Sequence, residues 1–398
     1  MSIIKEFPIL YGKASNGKIK TVKYYIEQLE DGTCDIVNEH GYIDGKKQID
    51  RRNIKSGKNI GKKNETTIQE QAISETNSKI NKKKDNNYTE NPSGEPDKAE
   101  HSLLPMLAHT FSKIDGDGKQ IGRKHHIKYP CFCQPKLNGV RCLTRLTTGK
   151  NAIFTSRKFK EYKTLDHLVN EVNFVFPELV DTGIPIDGEI YLHGLTLQEI
   201  NRRVKKWRSG ETTALEYWVY DIADPSKTFD ERRKLIDTAF KQAHINNKEY
   251  YEVLRVKQLE TFVAADEDAV YRLHDRFVKE GYEGVIIRNS DGKYVMEKRS
   301  NHLQKYKEFI DEEFEIVGHK VGEGREADAV VFICKVPNPT EQGQKTFEVR
   351  PRGSIEQRRS WTEDIENIVG KELTVRYQEL TEDNVPSFPV GIAIRDYE

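Results

Sequence analysis

Gln134-Pro135-Lys136-Leu137-Asn138-Gly139-Val140-Arg141 (QPKLNGVR) is the stretch on which the reading of this chain turns. It lies between two short apolar runs, which predicts a lysine on a turn beside a buried sheet. Pro135 and Gly139, residues suited to a set backbone course, flank that turn on either side. A lysine amine, with a reference pKa near ~10.4, is free in only about one copy in a thousand at neutral pH. Desolvation or a neighbouring cation frees the amine for covalent chemistry. Arg141 adds a permanent cation suited to phosphate or ribose oxygens. Taken alone, K-x-N-G-x-R is more often a surface turn; the residues downstream reverse that reading.

Downstream, short apolar runs carry charges at their ends. Ala152-Ile153-Phe154 reads as a strand leading into Thr155-Ser156-Arg157-Lys158-Phe159. Ile184 to Tyr191 sets Asp187 and Glu189 around a glycine in a β-like run, and Tyr217 to Ile222 is an aromatic strand holding Tyr220. Glu283 to Arg288 begins with an acid and ends with a cation, and Leu303 to Lys307 alternates, which puts Lys305 and Lys307 on one face. Singly, each has a plain structural explanation: an acid beside glycine ends a strand, a tyrosine in an apolar run is core, and paired lysines are solvated. Jointly they predict strands converging on a pocket for a polyanion.

The whole chain sets the frame. Its 398 residues suffice for two or three domains with real cores. With 64 basic and 64 acidic side chains the formal charge is zero, so a nucleic-acid partner must be argued from local clusters. No apolar run approaches ~18 residues, and the first residues lack a secretory core, so the expectation is a cytoplasmic protein, in the host cytoplasm if the source is viral. Five cysteines without a zinc-type pair of pairs are expected to be reduced thiols.

Upstream, residues 1–84 are expected to form a small β-rich module. Ile9 to Tyr11, Ile19 to Leu29 and Thr33 to Val37 read as strands, and Asn64 to Thr67 as the cap of a helix with Ile68, Ala72, Ile73 and Ile80 on its apolar face. From Lys46 to Lys63 there are eight Lys or Arg against one acid. Lys46, Lys47, Arg51, Arg52, Lys58 and Lys62, interleaved with small residues, are candidates for nucleic-acid contact, although a solvated basic face is the commoner use of such a run. The module is distantly similar to the WGR-type β modules of some nucleic-acid enzymes, with His40-Gly41-Tyr42 in place of the signature triplet. Residues 85–102 read as a linker or the exposed end of this module. Beyond Phe309 the pattern is all β: Glu313 to Lys320, Ala329 to Val336, Phe347 to Arg350 and Glu372 to Leu380 suit a small OB barrel over 309–398.

KLNGVR, SRKF, DGEIY, VYD, EGVIIR and LQKYK, in that order, resemble motifs I, Ia, III, IIIa, IV and V of the covalent nucleotidyltransferases, and within them the ATP-dependent DNA ligases of compact phage and viral type. The resemblance covers about residues 104–398. It implies an α+β multidomain fold: an adenylation (nucleotidyltransferase, ATP-grasp-like) domain over 103–308, then the OB-fold domain. It also implies ATP and Mg²⁺ (with Mn²⁺ an alternative), nicked duplex DNA as partner, and a monomer. Lys136 would take AMP from ATP. Gln134, Arg141, Arg157, Glu189 and Tyr220 would bind the nucleotide, Tyr220 by stacking. Glu189 and Glu283 would place the metal, and Lys305 and Lys307 would neutralise the α-phosphate. Arg395 would orient the leaving pyrophosphate as part of motif VI. Asn138 departs from the family's aspartate and Gln134 from its glutamate. The alternatives are an RNA ligase, an mRNA guanylyltransferase, or a catalytically dead scaffold for nucleic acid.

Overall fold

The computed structural model describes residues 2–14, 16–94, 104–114, 119–149, 151–322, 326–341 and 343–395. The chain divides into two compact units, residues 1–101 with 321–328, and residues 102–320 with 329–398.

In the first unit β1 (Ser2–Glu6), β2 (Leu10–Lys13), β3 (Ile19–Gln28), β4 (Cys34–Tyr42) and β5 (Gln48–Ile54) form one antiparallel sheet, in the order β1-β3-β4-β5 with β2 also on β3. Val22, Tyr24 and Ile26 alternate toward the core, as period-2 patterning requires. Helix α1 (Ile68–Lys84) starts where the sequence placed it: Thr67 and Glu70 make a reciprocal capping box, and Ala72 and Ile80 are buried. Two strands escaped the sequence reading. β1 is exposed at every residue and β5 at all but Ile54, so neither has an apolar period. His40-Gly41-Tyr42 closes β4. Residues 85–94 fold back, with Thr89 and Tyr11 exchanging backbone hydrogen bonds of 2.7 and 2.9 Å, so the described part of the expected linker belongs to the module's end. Residues 95–102, Leu103 and Asp396 to Glu398 lie outside the described residues.

In the second unit the elements run β6 (Leu107–Thr110), a short hairpin of β7 (Lys113–Ile114) and β8 (Gln120–Ile121), β9 (Cys131–Lys136), β10 (Val140–Thr147) and β11 (Asn151–Ser156). Then come α2 (Val169–Val175), β12 (Ile186–Tyr191), α3 (Leu197–Lys205), β13 (Glu216–Ile222), α4 (Phe229–Asn246) and α5 (Lys248–Val253). The last part of this block is β14 (Val256–Gln258), β15 (Phe262–Ala264), α6 (Glu267–Lys279), β16 (Gly284–Arg288) and β17 (Arg299–Tyr306). They build two five-stranded sheets, β11-β10-β12-β13-β14 and β15-β9-β16-β17-β6. Leu137, Asn138 and Gly139 carry the chain from β9 in one sheet to β10 in the other, so the QPKLNGVR stretch is the hinge between the sheets. Lys136 is the last residue of β9; the expected turn begins one residue later.

Each sheet has its own core. Ile186, Ile190, Tyr217 and Val219 pack under α2 to α4, and Cys133, Val285 and Ile287 pack with Phe277 of α6. Each fully buried aliphatic side chain contributes about 1.5–3 kcal/mol. A closed barrel follows, β18-β19-β20-β22-β21, from β18 (Ile310–Val321), β19 (Val330–Lys335), β20 (Thr346–Pro351), β21 (Glu372–Tyr377) and β22 (Val390–Arg395). The all-β expectation needs one correction, because α7 (Ile355–Glu363) is inserted after β20, capped by Ser354. All five cysteines are free and buried. No helix among the described residues is long and apolar enough to cross a membrane.

Candidate active site

Lys136, at the end of β9, opens into a cavity of about 200 Å³ lined from both sheets. Gln134, Ile286, Leu303 and Lys305 come from one sheet, and Arg141, Glu189 and Tyr220 from the other. The register explains the first set, since Ile286 lies opposite both Gln134 and Lys305 and the three side chains form a row across the sheet. Arg141 and Glu189 are likewise cross-strand partners. Arg157 stands exposed in the turn after β11 and still borders the cavity.

Around Lys136 the charges are tightly arranged. Its Nζ is paired with Glu283, whose other oxygen accepts from Lys307 Nζ at 2.5 Å. Burial alone would raise the Glu283 carboxyl, but Lys136 and Lys307 hold it below the ordinary carboxylate value. Lys305 moves the other way: burial, then the neighbouring Lys136 and Lys307, lowers its pKa. Glu189 accepts from the Gly139 N–H at 2.8 Å, and burial pushes its carboxyl up to about 7 against the pull of Lys136 and that hydrogen bond. Gly139 has no room for a side chain, since a Cβ would sit 2.5 Å from the Ile190 carbonyl oxygen.

Two predicted residues have different surroundings from those expected. Arg141 is bound on two sides by Asp187, at 2.9 and 2.6 Å, and donates to the Met106 carbonyl at 2.8 Å, so most of its donors are spent inside the protein. Its guanidinium also lies 6.0 Å from the centre of the Tyr220 ring. Lys307 follows β17 and reaches Glu283 and Gln378; it does not line the cavity.

Arg395 is not brought to the cavity. It lies on the barrel wall, its Nε donating to Glu313 at 3.0 Å and to the Thr374 hydroxyl at 2.7 Å. The six cations proposed for nucleic acid lie in the other unit, and several are already engaged. Arg51 pairs with Glu27 and Asp35, Arg52 and Lys58 with Glu75, and Lys47 donates to the Thr21 hydroxyl at 2.9 Å and the Ile43 carbonyl at 3.1 Å. Lys46 and Lys62 are exposed.

The sequence marks Arg288 as the cation ending an apolar run, without assigning it a role, and leaves several other neighbours of the cavity unsignalled. Arg288 and Arg299 border the cavity, with Leu107, Leu259, Ile286 and Leu303 as its apolar wall. Beneath it, Asp221 is buried between Arg232, at 2.6 and 3.1 Å, and Arg288, at 2.6 Å. A buried arginine requires such a partner, and the only signal in the sequence was Asp221 following Tyr220 in an apolar run. From the barrel, Glu379 accepts from the Asn138 amide at 3.0 and 3.2 Å, a contact that an aspartate at 138 would turn into like-charge repulsion.

The cavity is thus a cationic cleft with a lysine at its edge. Residues 105–307, just over half of the chain, match the family model for the ATP dependent DNA ligase domain, and residues 322–395 match the DNA ligase OB-like domain. A DNA ligase of African swine fever virus is 29% identical over 389 residues, covering 91% of this chain and 83% of the relative. Among solved structures, Pmar-Lig_Pre shares the fold with a TM-score of 0.61 at 20% identity, over 81% of this chain and 72% of that one. A Lig E DNA ligase structure has a TM-score of 0.54 at 17% identity, over 73% of this chain and 98% of that one. The chain belongs to the ATP-dependent DNA ligase family.

Proposed function

We propose that this ligase seals 5′-phosphate/3′-hydroxyl nicks in duplex DNA, as a monomer, with Lys136 as the residue that carries AMP. The observation that supports this reading most is Lys136 at the meeting of two sheets, beside Glu189, Glu283 and Lys305 at the mouth of a cationic cavity. In the first step Lys136 Nζ forms a bond to the α-phosphorus of ATP as the bond to the β-phosphate oxygen breaks and pyrophosphate leaves. The AMP then passes to the 5′-phosphate of the nick. Finally the 3′-hydroxyl attacks that phosphorus, closing the strand and releasing AMP.

While the Lys136–Glu283 pair holds, Lys136 Nζ is engaged by a carboxylate and not turned to a phosphate. Incoming phosphates must draw Lys136 away from Glu283 before it can react. Glu189 and Glu283 offer hard oxygen donors at the phosphate end, which fits Mg²⁺ bound jointly by one or two carboxylates and the nucleotide. The ion would supply charge neutralisation on the phosphate oxygens. No cluster of three or more metal-binding side chains occurs among the described residues, which suits a cation shared with substrate better than a protein cage. Lys305 and Arg157 would stabilise charge building on the phosphates, since phosphoryl transfer is largely positioning and electrostatics. Tyr220 would stack on the base, with Gln134 beside it. Arg141 acts through its grip on Asp187, holding the wall behind Tyr220. Lys307 steadies Glu283. Arg395 would serve the pyrophosphate only if the barrel turned that wall to the cavity.

A nicked duplex with ATP and Mg²⁺ is the direct assay. Wild type should seal a 5′-phosphorylated DNA nick, and Lys136→Ala should not. The variant should still close a nick already carrying AMP, because the last step does not use the lysine. Sealing of RNA nicks alone, or transfer from GTP alone, would favour the alternatives.

A further inference from the structure

The base end of the cavity contains an amide whose hydrogen-bonding capacity is almost wholly consumed by the protein. Gln134 precedes Lys136 by two positions on β9, so both side chains face the same way with their Cα atoms about 7 Å apart. A nucleotide whose α-phosphorus meets Lys136 therefore carries its base back toward Gln134, Tyr220 and the apolar wall. Gln134 is only 2% exposed. Its Oε1 accepts from Arg288 Nε at 2.8 Å, and its Nε2 donates to the Thr261 hydroxyl at 3.0 Å and to the Tyr220 carbonyl at 3.3 Å. The opposite orientation of the amide would set its N–H groups against a guanidinium and its oxygen against a carbonyl, so the neighbours fix which end is which. Both N–H groups are spent. One acceptor lone pair on Oε1 is all that remains.

We infer that Thr261 is a positioning residue for nucleotide choice: by holding one N–H of Gln134, it leaves that amide able only to accept, so the site takes a 6-amino purine and rejects a 6-oxo purine. The inference rests on the proposed adenylation of Lys136. A carboxylate at 134 would need no such device, because it has no N–H to hide. The glutamine does, and Thr261, which does not itself line the cavity, supplies it. In Thr261→Val the amide loses the bond that ties it on that side, and by turning it can bring the freed N–H to the 6-oxo group of hypoxanthine or guanine.

The test is covalent labelling of the full chain with ATP against inosine triphosphate, which differs at the purine 6-position and lacks the 2-amino group of guanine. Wild type and Thr261→Ser should prefer ATP. Thr261→Val should lower the ATP-to-inosine-triphosphate rate ratio about tenfold, the effect of one hydrogen bond gained by the wrong base. Adding Gln134→Glu to Thr261→Val should restore the preference, because a carboxylate cannot donate. Thr261→Ala asks the same question if the valine variant does not fold. An unchanged ratio in both variants would overturn the inference, as would a ratio that stays low in the Gln134→Glu double variant. Those results leave Lys136 adenylation standing, whereas absence of label from any nucleotide would overturn the adenylation reading itself and this inference with it.

Discussion

In the N-terminal module, Arg51 lies against Glu27 and Asp35, and Arg52 and Lys58 share Glu75. In the cavity, Lys136, Arg141, Arg157, Arg288, Arg299 and Lys305 line a space with Glu189 as its one acidic wall residue. Along the chain the first group looked the more basic, with eight cations to one acid between Lys46 and Lys63. In three dimensions the order reverses. Acids from β3, β4 and α1 pair with Arg51, Arg52 and Lys58 of the module's run, while the cavity's cations arrive from distant strands and gather around one space. A local count of charge reports only neighbours in sequence, and ligand binding depends on neighbours in space.

The widest separation between the two regions should appear on removing one cation from each. Lys136→Ala should abolish nick sealing from ATP, while Arg51→Ala should leave sealing within about threefold of wild type and cost about 0–1 kcal/mol of stability, since an exposed ion pair contributes little. Comparable losses in both variants would erase the contrast. Within the cavity, Lys305→Ala should slow transfer of AMP to the enzyme by about 10²–10³, the usual effect of losing one group that stabilises transition-state charge, with rates read by single-turnover labelling.

A pH series sharpens the contrast in another way. The Glu189 carboxyl is raised from its ordinary 4.5 to about 7, so folding favours its neutral form. Below about pH 4.5 it is neutral in both states and carries no penalty. Between 4.5 and 7 the unfolded chain ionises first, and above 7 the folded protein bears the full penalty. Glu189→Gln should therefore gain Tm relative to wild type as pH rises from 5 to 7, then hold that advantage. A gap that is flat with pH would place Glu189 in a solvated setting, and one that widens toward acid would mean that the neighbouring cations favour its ionised form. The smallest effect belongs to the module: Lys46→Ala with Lys62→Ala should reduce the salt slope of DNA affinity by about 1–2 if both touch phosphates, and leave it unchanged if the run is a solvated face.

The adenylation domain was legible because its polar residues interrupt or end short apolar runs that make each strand visible: Lys136 and Lys305 at the ends of β9 and β17, Glu189 and Tyr220 within β12 and β13. The capping box at Thr67 was legible for a similar reason, a local hydrogen-bond pattern with a local signature. β5 was not, because cross-strand ion pairs rather than apolar alternation hold it, and Arg51 on β5 finds Glu27 on β3 only after folding. The Arg232–Asp221–Arg288 cluster was hidden because its members lie on α4, β13 and β16, and charged residues in a sequence do not announce burial. α7 has little apolar bias, burying Arg358 alone among its residues, so no helical stripe betrayed it. Arg395 was named from the motif, but its position depends on how the barrel wall is turned, which no local pattern encodes.

Transfer of AMP to Lys136 is the step on which sealing depends. Intact mass and peptide mapping after incubation with ATP and Mg²⁺ should find one AMP per chain, on the peptide holding Lys136 and lost in Lys136→Ala. AMP on Lys305 or Lys307 instead, or no adduct on a folded protein supplied with nucleotide and metal, would contradict it.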